Sequence, residues 1–169
     1  GHEVILEPYY YTYKDGSAFW MTSLTTPLYN REGEFIGVAG IDITLNQLQA
    51  MINQYKPAGG YAILVSNNGK LVAHKKTDLM GTTIGDDEPQ HQAALLDSIR
   101  QGKSYSLTRK ALATGQMALL VFKPIYIGET GTPWSVAAVL PLTDMLQSLR
   151  RLQYILVGIG LLSLGLMAV

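Results

Sequence analysis

Asp42 interrupts the run Phe35-Ile36-Gly37-Val38-Ala39-Gly40-Ile41-Asp42-Ile43 as its single charge. Read as a strand, this run puts Asp42 on one face with Gly40, Val38 and Ile36. Phe35, Ala39, Ile41 and Ile43 point the other way. Gly40 leaves space beside the carboxylate. If that face lines a cavity, an ionised Asp42 must be paired or hydrogen-bonded, and a ligand ammonium would satisfy it. The alternative is structural: Asp42 lies close to Thr44 and is within reach of the amides that open the next helix. Tyr9 and Tyr11 share a strand face with Tyr13, while Tyr10 faces opposite. Tyrosines offer apolar walls tipped with a hydroxyl and suit amine ligands through cation–π contact, although aromatic strands also serve as ordinary core and edge packing. Trp20 is a weaker candidate wall.

Other constellations fall short of chemistry. His74, Asp78 and His91 match no helix-borne or hairpin-borne metal spacing, and Asp86-Asp87-Glu88 reads as the acidic entry to a helix. There is no Ser-His-Asp order, nucleotide-binding glycine loop or defensible catalytic carboxylate pair. The absence of cysteine removes thiolate catalysis and Cys-based zinc sites. The expectation is a non-enzyme with no cofactor and no metal. Thirteen basic and thirteen acidic residues cancel, and no basic run exceeds Lys75-Lys76 or Arg150-Arg151, so nucleic acid is not an expected partner.

The elements that must position these residues are legible from turn chemistry. Glu3 to Tyr13, Ala18 to Tyr29 and Phe35 to Ile43 read as three antiparallel strands, separated by Lys14-Asp15-Gly16 and Asn30-Arg31-Glu32-Gly33. Thr44 with Gln47 forms a capping box, and Leu45, Leu48, Met51 and Ile52 carry a helix toward Tyr55. Lys56 to Gly60 ends it. A ββαβββ unit follows: Tyr61 to Ser66, an Asn67-Asn68-Gly69-Lys70 turn, Leu71 to His74, a helix from Asp87 to Gln101, then Ser104 to Leu112, Gln116 to Tyr126 and Trp134 to Leu140. Thr26-Pro27-Leu28-Tyr29 with Gly37 to Ile41 echoes Lys123-Pro124-Ile125-Tyr126 with Ser135 to Val139, an internal repeat in which Leu140 is the counterpart of Asp42. The fold class expected is α+β, two tandem units of one fold with antiparallel sheets, the first truncated. Residues 1–56 form the first unit and connecting helix, 57–141 the second, and 142–169 a juxtamembrane and membrane helix.

The membrane expectation rests on Leu152 to Val169, eighteen residues without charge. Arg150 and Arg151 flank this segment on the side taken as outside, against the positive-inside tendency. Gly1-His2 reads as a cut through a longer chain.

Glu7-Pro8-Tyr9, Pro27-Leu28-Tyr29 with Gly33, Gly37 to Ile43 with Leu45, Gly60-Tyr61-Ala62 to Ala73-His74, Gly81, and Pro133-Trp134 to Leu140-Pro141-Leu142 together resemble the double Cache family of bacterial extracellular sensors. The resemblance implies two PAS-like subdomains stacked outside the inner membrane, on the periplasmic side, as the input of a chemoreceptor (methyl-accepting chemotaxis protein), histidine kinase or diguanylate cyclase. It also implies a homodimer in the full receptor. In amino-acid-binding members an Arg-x-Trp-Tyr segment holds the ligand carboxylate; this chain has no counterpart of it. Tyr9 matches the tyrosine after the Pro-Tyr turn and Asp42 the aspartate of Gly-x-Asp-Ile, which meet the ammonium, while Tyr11 stands where another aspartate is expected. The expected partner is therefore a small polar molecule, amino-acid or amine-like, bound near Tyr9, Tyr11 and Asp42. The alternative function is a membrane-tethered interaction or spacer domain with no small-molecule ligand.

Overall fold

The computed structural model describes residues 1–86 and 89–143, and their strands form two separate antiparallel sheets. The first is built on β3 (Ala18–Tyr29), twelve residues long, which pairs along one edge with β1 (Val4–Ile5) and β2 (Tyr9–Thr12) and along the other with β4 (Phe35–Thr44). The expected first strand is thus split in two. Between the pairs Ile5↔Leu24 and Tyr9↔Met21 the leading strand advances one residue more than β3, a bulge at Leu6-Glu7-Pro8. Pro8 has no N–H to give to the ladder, which makes this the place where pairing breaks.

The hairpin turns follow from side-chain chemistry. Asp15 Oδ1 accepts from the Ser17 N–H at 2.9 Å, and Gly16 takes φ +85°, the left-handed position that closes the β2–β3 loop. Asn30 Oδ1 likewise accepts from the backbone N–H groups of Glu32 and Glu34 before β4 begins. The helix α1 (Leu45–Ile52) starts at the expected capping box: the Gln47 N–H donates to Thr44 Oγ1, and the Thr44 N–H donates back to Gln47 Oε1 at 3.0 Å. It ends at Asn53, sooner than the apolar spacing toward Tyr55 predicts.

The second sheet has strand order β6-β5-β9-β8-β7, with β5 Tyr61–Val65, β6 Leu71–Ala73, β7 Tyr105–Lys110, β8 Met117–Ile125 and β9 Trp134–Pro141. The helix α2 (Pro89–Arg100) lies between β6 and β7 in sequence, so the expected ββαβββ order holds. Its expected N-cap, Asp87, lies outside the described residues. Both faces of β5 are buried, which explains its unbroken apolar run. Ile63 and Val65 join Leu71, Phe122, Val139 and the α2 residues Leu95 and Ile99 in one core. Ala62 and Leu64 point the other way, into a second cluster with Leu45 and Ile52 of α1, Val72, Trp134 and Ile5.

That second cluster is the seam between the sheets, and polar contacts reinforce it. The Glu7 carboxylate accepts from Ser66 Oγ at 2.5 Å and from the Asn68 N–H at 3.0 Å, so the bulge of the first sheet is tied to the β5–β6 turn. Lys70 Nζ donates to the Pro8 carbonyl at 3.3 Å and lies 5.4 Å from the Trp20 ring centroid. The same indole lies against Gly81, where any Cβ would collide with it. Trp20 therefore packs between the sheets and is not a wall beside Asp42. The backbone N–H of His74 donates to Gln49 Oε1 of α1 at 2.6 Å.

The expected membrane helix at 142–169, with Arg150-Arg151, lies outside the described residues apart from Leu142 and Thr143, which follow β9 as helix. Among the described residues no helix is long and apolar enough to cross a membrane.

Two outcomes test this packing. Phe122 is fully buried, so Phe122→Ala should destabilise the chain by about 3–5 kcal/mol in denaturant unfolding; a loss under about 1 kcal/mol would place Phe122 outside the cooperative core. Burial also pushes the His74 imidazole below the ordinary histidine pKa, outweighing the Lys76 backbone contact and Asp78, which act to raise it. Because the neutral form is favoured in the fold, its stability contribution is complete above the unfolded value of about 6.5 and is lost as pH falls toward the lowered folded value. Thermal melts should show Tm falling between about pH 7.5 and about pH 5.5, with a shallower fall in His74→Gln. Equal slopes would exonerate His74.

Candidate functional site

Antiparallel pairing sets the candidate site. Ser23 of β3 is the direct cross-strand partner of Asp42 on β4, and Tyr9 of β2 pairs with Met21, two residues before Ser23 on the same face. All three polar side chains thus emerge on one side of the sheet and meet. Ser23 Oγ donates to Asp42 Oδ1 at 2.5 Å, the length of a charge-assisted O–H···O⁻ bond. Having spent its one proton there, Ser23 Oγ accepts from Tyr9 Oη at 2.6 Å. Tyr9 Oη also lies 3.4 Å from Asp42 Oδ1, a longer alternative for the same phenolic proton.

Among the described residues Asp42 accepts no hydrogen bond from the amides that open α1. The start of α1 is served by Thr44 and Gln47, and Asp42 is held from across the sheet. Asp42 is exposed, Tyr9 half-buried and Ser23 buried. Among the described residues Asp42 Oδ2 accepts no hydrogen bond, so the carboxylate keeps one oxygen facing outward.

Tyr11 pairs with Phe19 on this same face and is 48% exposed, its ring edge-on to Tyr13 with centroids 4.9 Å apart. It joins an aromatic row with Tyr13 and Phe19, and among the described residues no hydrogen bond links it to the Tyr9–Ser23–Asp42 group. Ser23 is the residue that sequence reading missed. The cue was available only after register: a serine in an apolar-aromatic strand gains meaning once it is known to face a carboxylate.

The space beside Asp42 is an open sheet face. Val38, on the same face, is 60% exposed. The structure's large concavity lies on the other side, a groove of about 950 Å³ between α1 and the second sheet. Leu48, Met51, Ile125, Val136 and Ala138 line it, Lys56 and Lys123 are its charged groups among the described residues, and its lining includes none of Tyr9, Tyr11 or Asp42. Among the described residues no group of His, Asp and Glu side chains is placed to hold a metal ion.

The Cache domain family model matches residues 1–149. The chain belongs to the Cache domain family. The methyl-accepting chemotaxis protein McpG of Pseudomonas putida is 31% identical to this Cache chain over 134 residues, covering 72% of the chain and 19% of McpG. The extracellular domain of the histidine kinase mmHK1S-Z3 superposes with TM-score 0.73 at 26% identity, covering 89% of the chain and 53% of that domain. The ligand-binding domain of the Pseudomonas aeruginosa amino acid chemoreceptor PctB, solved with L-Gln, shares the fold with TM-score 0.60 at 23% identity, covering 85% of the chain and 53% of that domain. This Cache chain therefore spans about a fifth of the curated relative and about half of the solved sensor domains.

The contact between Ser23 and Asp42 should register as coupling. In a double-mutant cycle of Ser23→Ala and Asp42→Asn, unfolding free energies should be non-additive by about 0.5–1.5 kcal/mol. Additive losses would mean that the two side chains do not support each other in solution.

Proposed function

We propose that this chain is part of the periplasmic ligand-sensing region of a membrane chemoreceptor or sensor kinase, and that its first sheet receives the ammonium group of a small polar ligand, an amino acid or related amine. The observation that carries this reading is the Tyr9–Ser23–Asp42 group. Ser23 and Tyr9 orient the carboxylate through Oδ1 and leave Oδ2 for a ligand N–H. An ammonium presented to that oxygen makes a charge-assisted bond, and the neighbouring tyrosine faces add cation–π attraction. Tyr11, further along the same face, forms part of the wall. The relatives support the ligand class: PctB is solved with L-Gln, and the chemoreceptor CtaA of Pseudomonas fluorescens with L-serine.

Residues 1–56 are on this reading the C-terminal part of the membrane-distal Cache subdomain with its connecting helix, and 57–141 the membrane-proximal subdomain. The uncharged run Leu152 to Val169 anchors the receptor in the inner membrane, and the receptor works as a homodimer. Signalling requires that ligand favour one of two arrangements of these parts, because equal affinity for both shifts nothing. The Glu7 contacts give the binding face a mechanical connection to the second sheet, since Glu7 is two residues from Tyr9 and bonded to the β5–β6 turn.

Isothermal titration of the receptor's whole sensor region against a panel of amino acids and biogenic amines tests the reading. At least one should bind, and Asp42→Asn and Tyr9→Phe should each weaken it by about tenfold, about 1.4 kcal/mol, with circular dichroism unchanged. Binding that is indifferent to Asp42→Asn would place the ligand elsewhere. Silence across the panel would favour the interaction or spacer domain.

A further inference from the structure

We propose that the outer edge of β4 docks an antiparallel β-strand supplied by the receptor's own polypeptide ahead of β1, and that the residue of this strand opposite Asp42 completes the ligand site. The match between the two sheets carries it. Pro27 of β3 pairs with Val38 of β4, and Pro124 of β8 with Ser135 of β9, so the two hairpins coincide when aligned on these prolines. Counting along both ladders, Ser23↔Asp42 then answers to Leu120↔Val139. One residue separates this from the sequence echo that set Asp42 against Leu140, and the pairing of whole strands takes precedence over an echo counted through turns of unequal length. Beyond β3 lies β2, as β7 lies beyond β8, so β2, β3 and β4 are the counterparts of β7, β8 and β9.

The sheets differ at the next position. β9 is paired on both edges, with β8 on one and β5 on the other, whereas among the described residues β4 pairs with β3 alone. In the second sheet β5 fills the place that is open beside β4.

β4 is also poorly suited to remain an edge in water. It is ten residues long, carries Asp42 as its single charge, contains no lysine, arginine or proline, and leaves Phe35, Ile36, Val38 and Ile41 59–64% exposed. Edges that stay open are shortened or guarded by charge, because unpaired N–H and C=O groups recruit other strands. From Gly37 to Thr44 the pairing with β3 is unbroken, so the edge is straight enough to template a partner. Gly37 and Gly40 let another backbone approach closely.

The β5–β9 ladder supplies the register. Val65↔Ser135, Ile63↔Ala137 and Tyr61↔Val139 translate into partners for Val38, Gly40 and Asp42, the positions of β4 that share the candidate-site face. A directly opposed residue has its Cβ about 4.5–5.5 Å from that of Asp42, close enough to touch whatever the carboxylate holds. It is therefore a specificity-determining position. That role rests on the ammonium reading of Asp42; the docking edge stands without it. The source of the strand follows from chain order: β5 precedes β7 in the second unit, so its counterpart precedes β2. The mmHK1S-Z3 domain, of which this chain covers 53%, has the length to supply such a strand within one domain.

Amide hydrogen exchange of the receptor's whole sensor region, without ligand and over a dilution series, tests the docking. Between Val38 and Asp42 alternate amides face β3 and the outer edge. Both sets should be protected at every concentration, the outward set exchanging at least about a hundredfold more slowly than unstructured amides. Fast exchange of the outward set alone would overturn the docking edge. Protection lost on dilution would make a second copy the occupant and overturn the assignment to the receptor's own chain. Cross-strand nuclear Overhauser contacts from Asp42 then name the residue opposite, and its replacement by alanine should change the affinity of the best ligand of the amino-acid and amine panel by about tenfold. Unchanged affinity would remove that residue from the site. Silence across the panel would sink the functional reading, and the specificity role with it, while a protected edge would still establish the docked strand.

Discussion

Ser23 faces Asp42 because β3 pairs antiparallel with β4, and that register governs the rest of the first sheet. In a strand with period two, a slip of one residue would turn the whole of β4 over, sending Asp42 toward α1 and Ile41 and Ile43 to the opposite face. What holds the register is burial on the far side. Thr22 and Leu24 of β3, Ile43 of β4 and Ile5 of β1 all face the concavity that α1 and the second sheet complete. An ionised Asp42 on that apolar side would lose its serine and tyrosine partners together, so packing and electrostatics select one register.

The seam between the sheets is where the two halves become one structure. Trp134 is 1% exposed and Leu45 fully buried, and both belong to a cluster that draws on β1, α1, β5, β6 and β9. The polar ties are placed at its edges: Glu7 to Ser66 and Asn68, Lys70 to Pro8, and the Glu129 N–H to Glu3 Oε2 at 2.8 Å. Apolar area supplies most of the attraction, and the directional bonds fix the orientation. The bulge at Glu7-Pro8 belongs to this design. It interrupts pairing on β3, frees Glu7 to reach the second sheet, and delivers Tyr9 to the Ser23 side two residues later.

Chemistry of two different kinds follows from the same strand rule. On the first sheet, polar residues occupy one face together, and that face is open. On the second, single polar residues are inserted into positions that alternation assigns to the core, as Arg109 is on β7 and Tyr61 on β5. An exposed carboxylate is satisfied by water and its cross-strand neighbours, whereas a buried cation must be paired or hydrogen-bonded within the fold.

Most of the architecture was legible in the chain itself. Asp-Gly, Asn-Asn-Gly and Glu-Gly turns marked the hairpins, the Thr44–Gln47 box marked α1, and the ββαβββ order of the second unit followed from alternation and breakers, because all of these are local interactions spanning a few residues. The parity of Tyr9, Tyr11 and Asp42 was local too. The split of the first strand, the inward packing of Trp20 and the entry of Ser23 into the candidate site were decided only by tertiary structure. Each depends on which residue lies opposite, across fourteen residues for Tyr9 and Ser23 and nineteen for Ser23 and Asp42. Register across such separations is chosen by the burial of whole faces, a property of the assembled sheets that no short stretch of sequence contains.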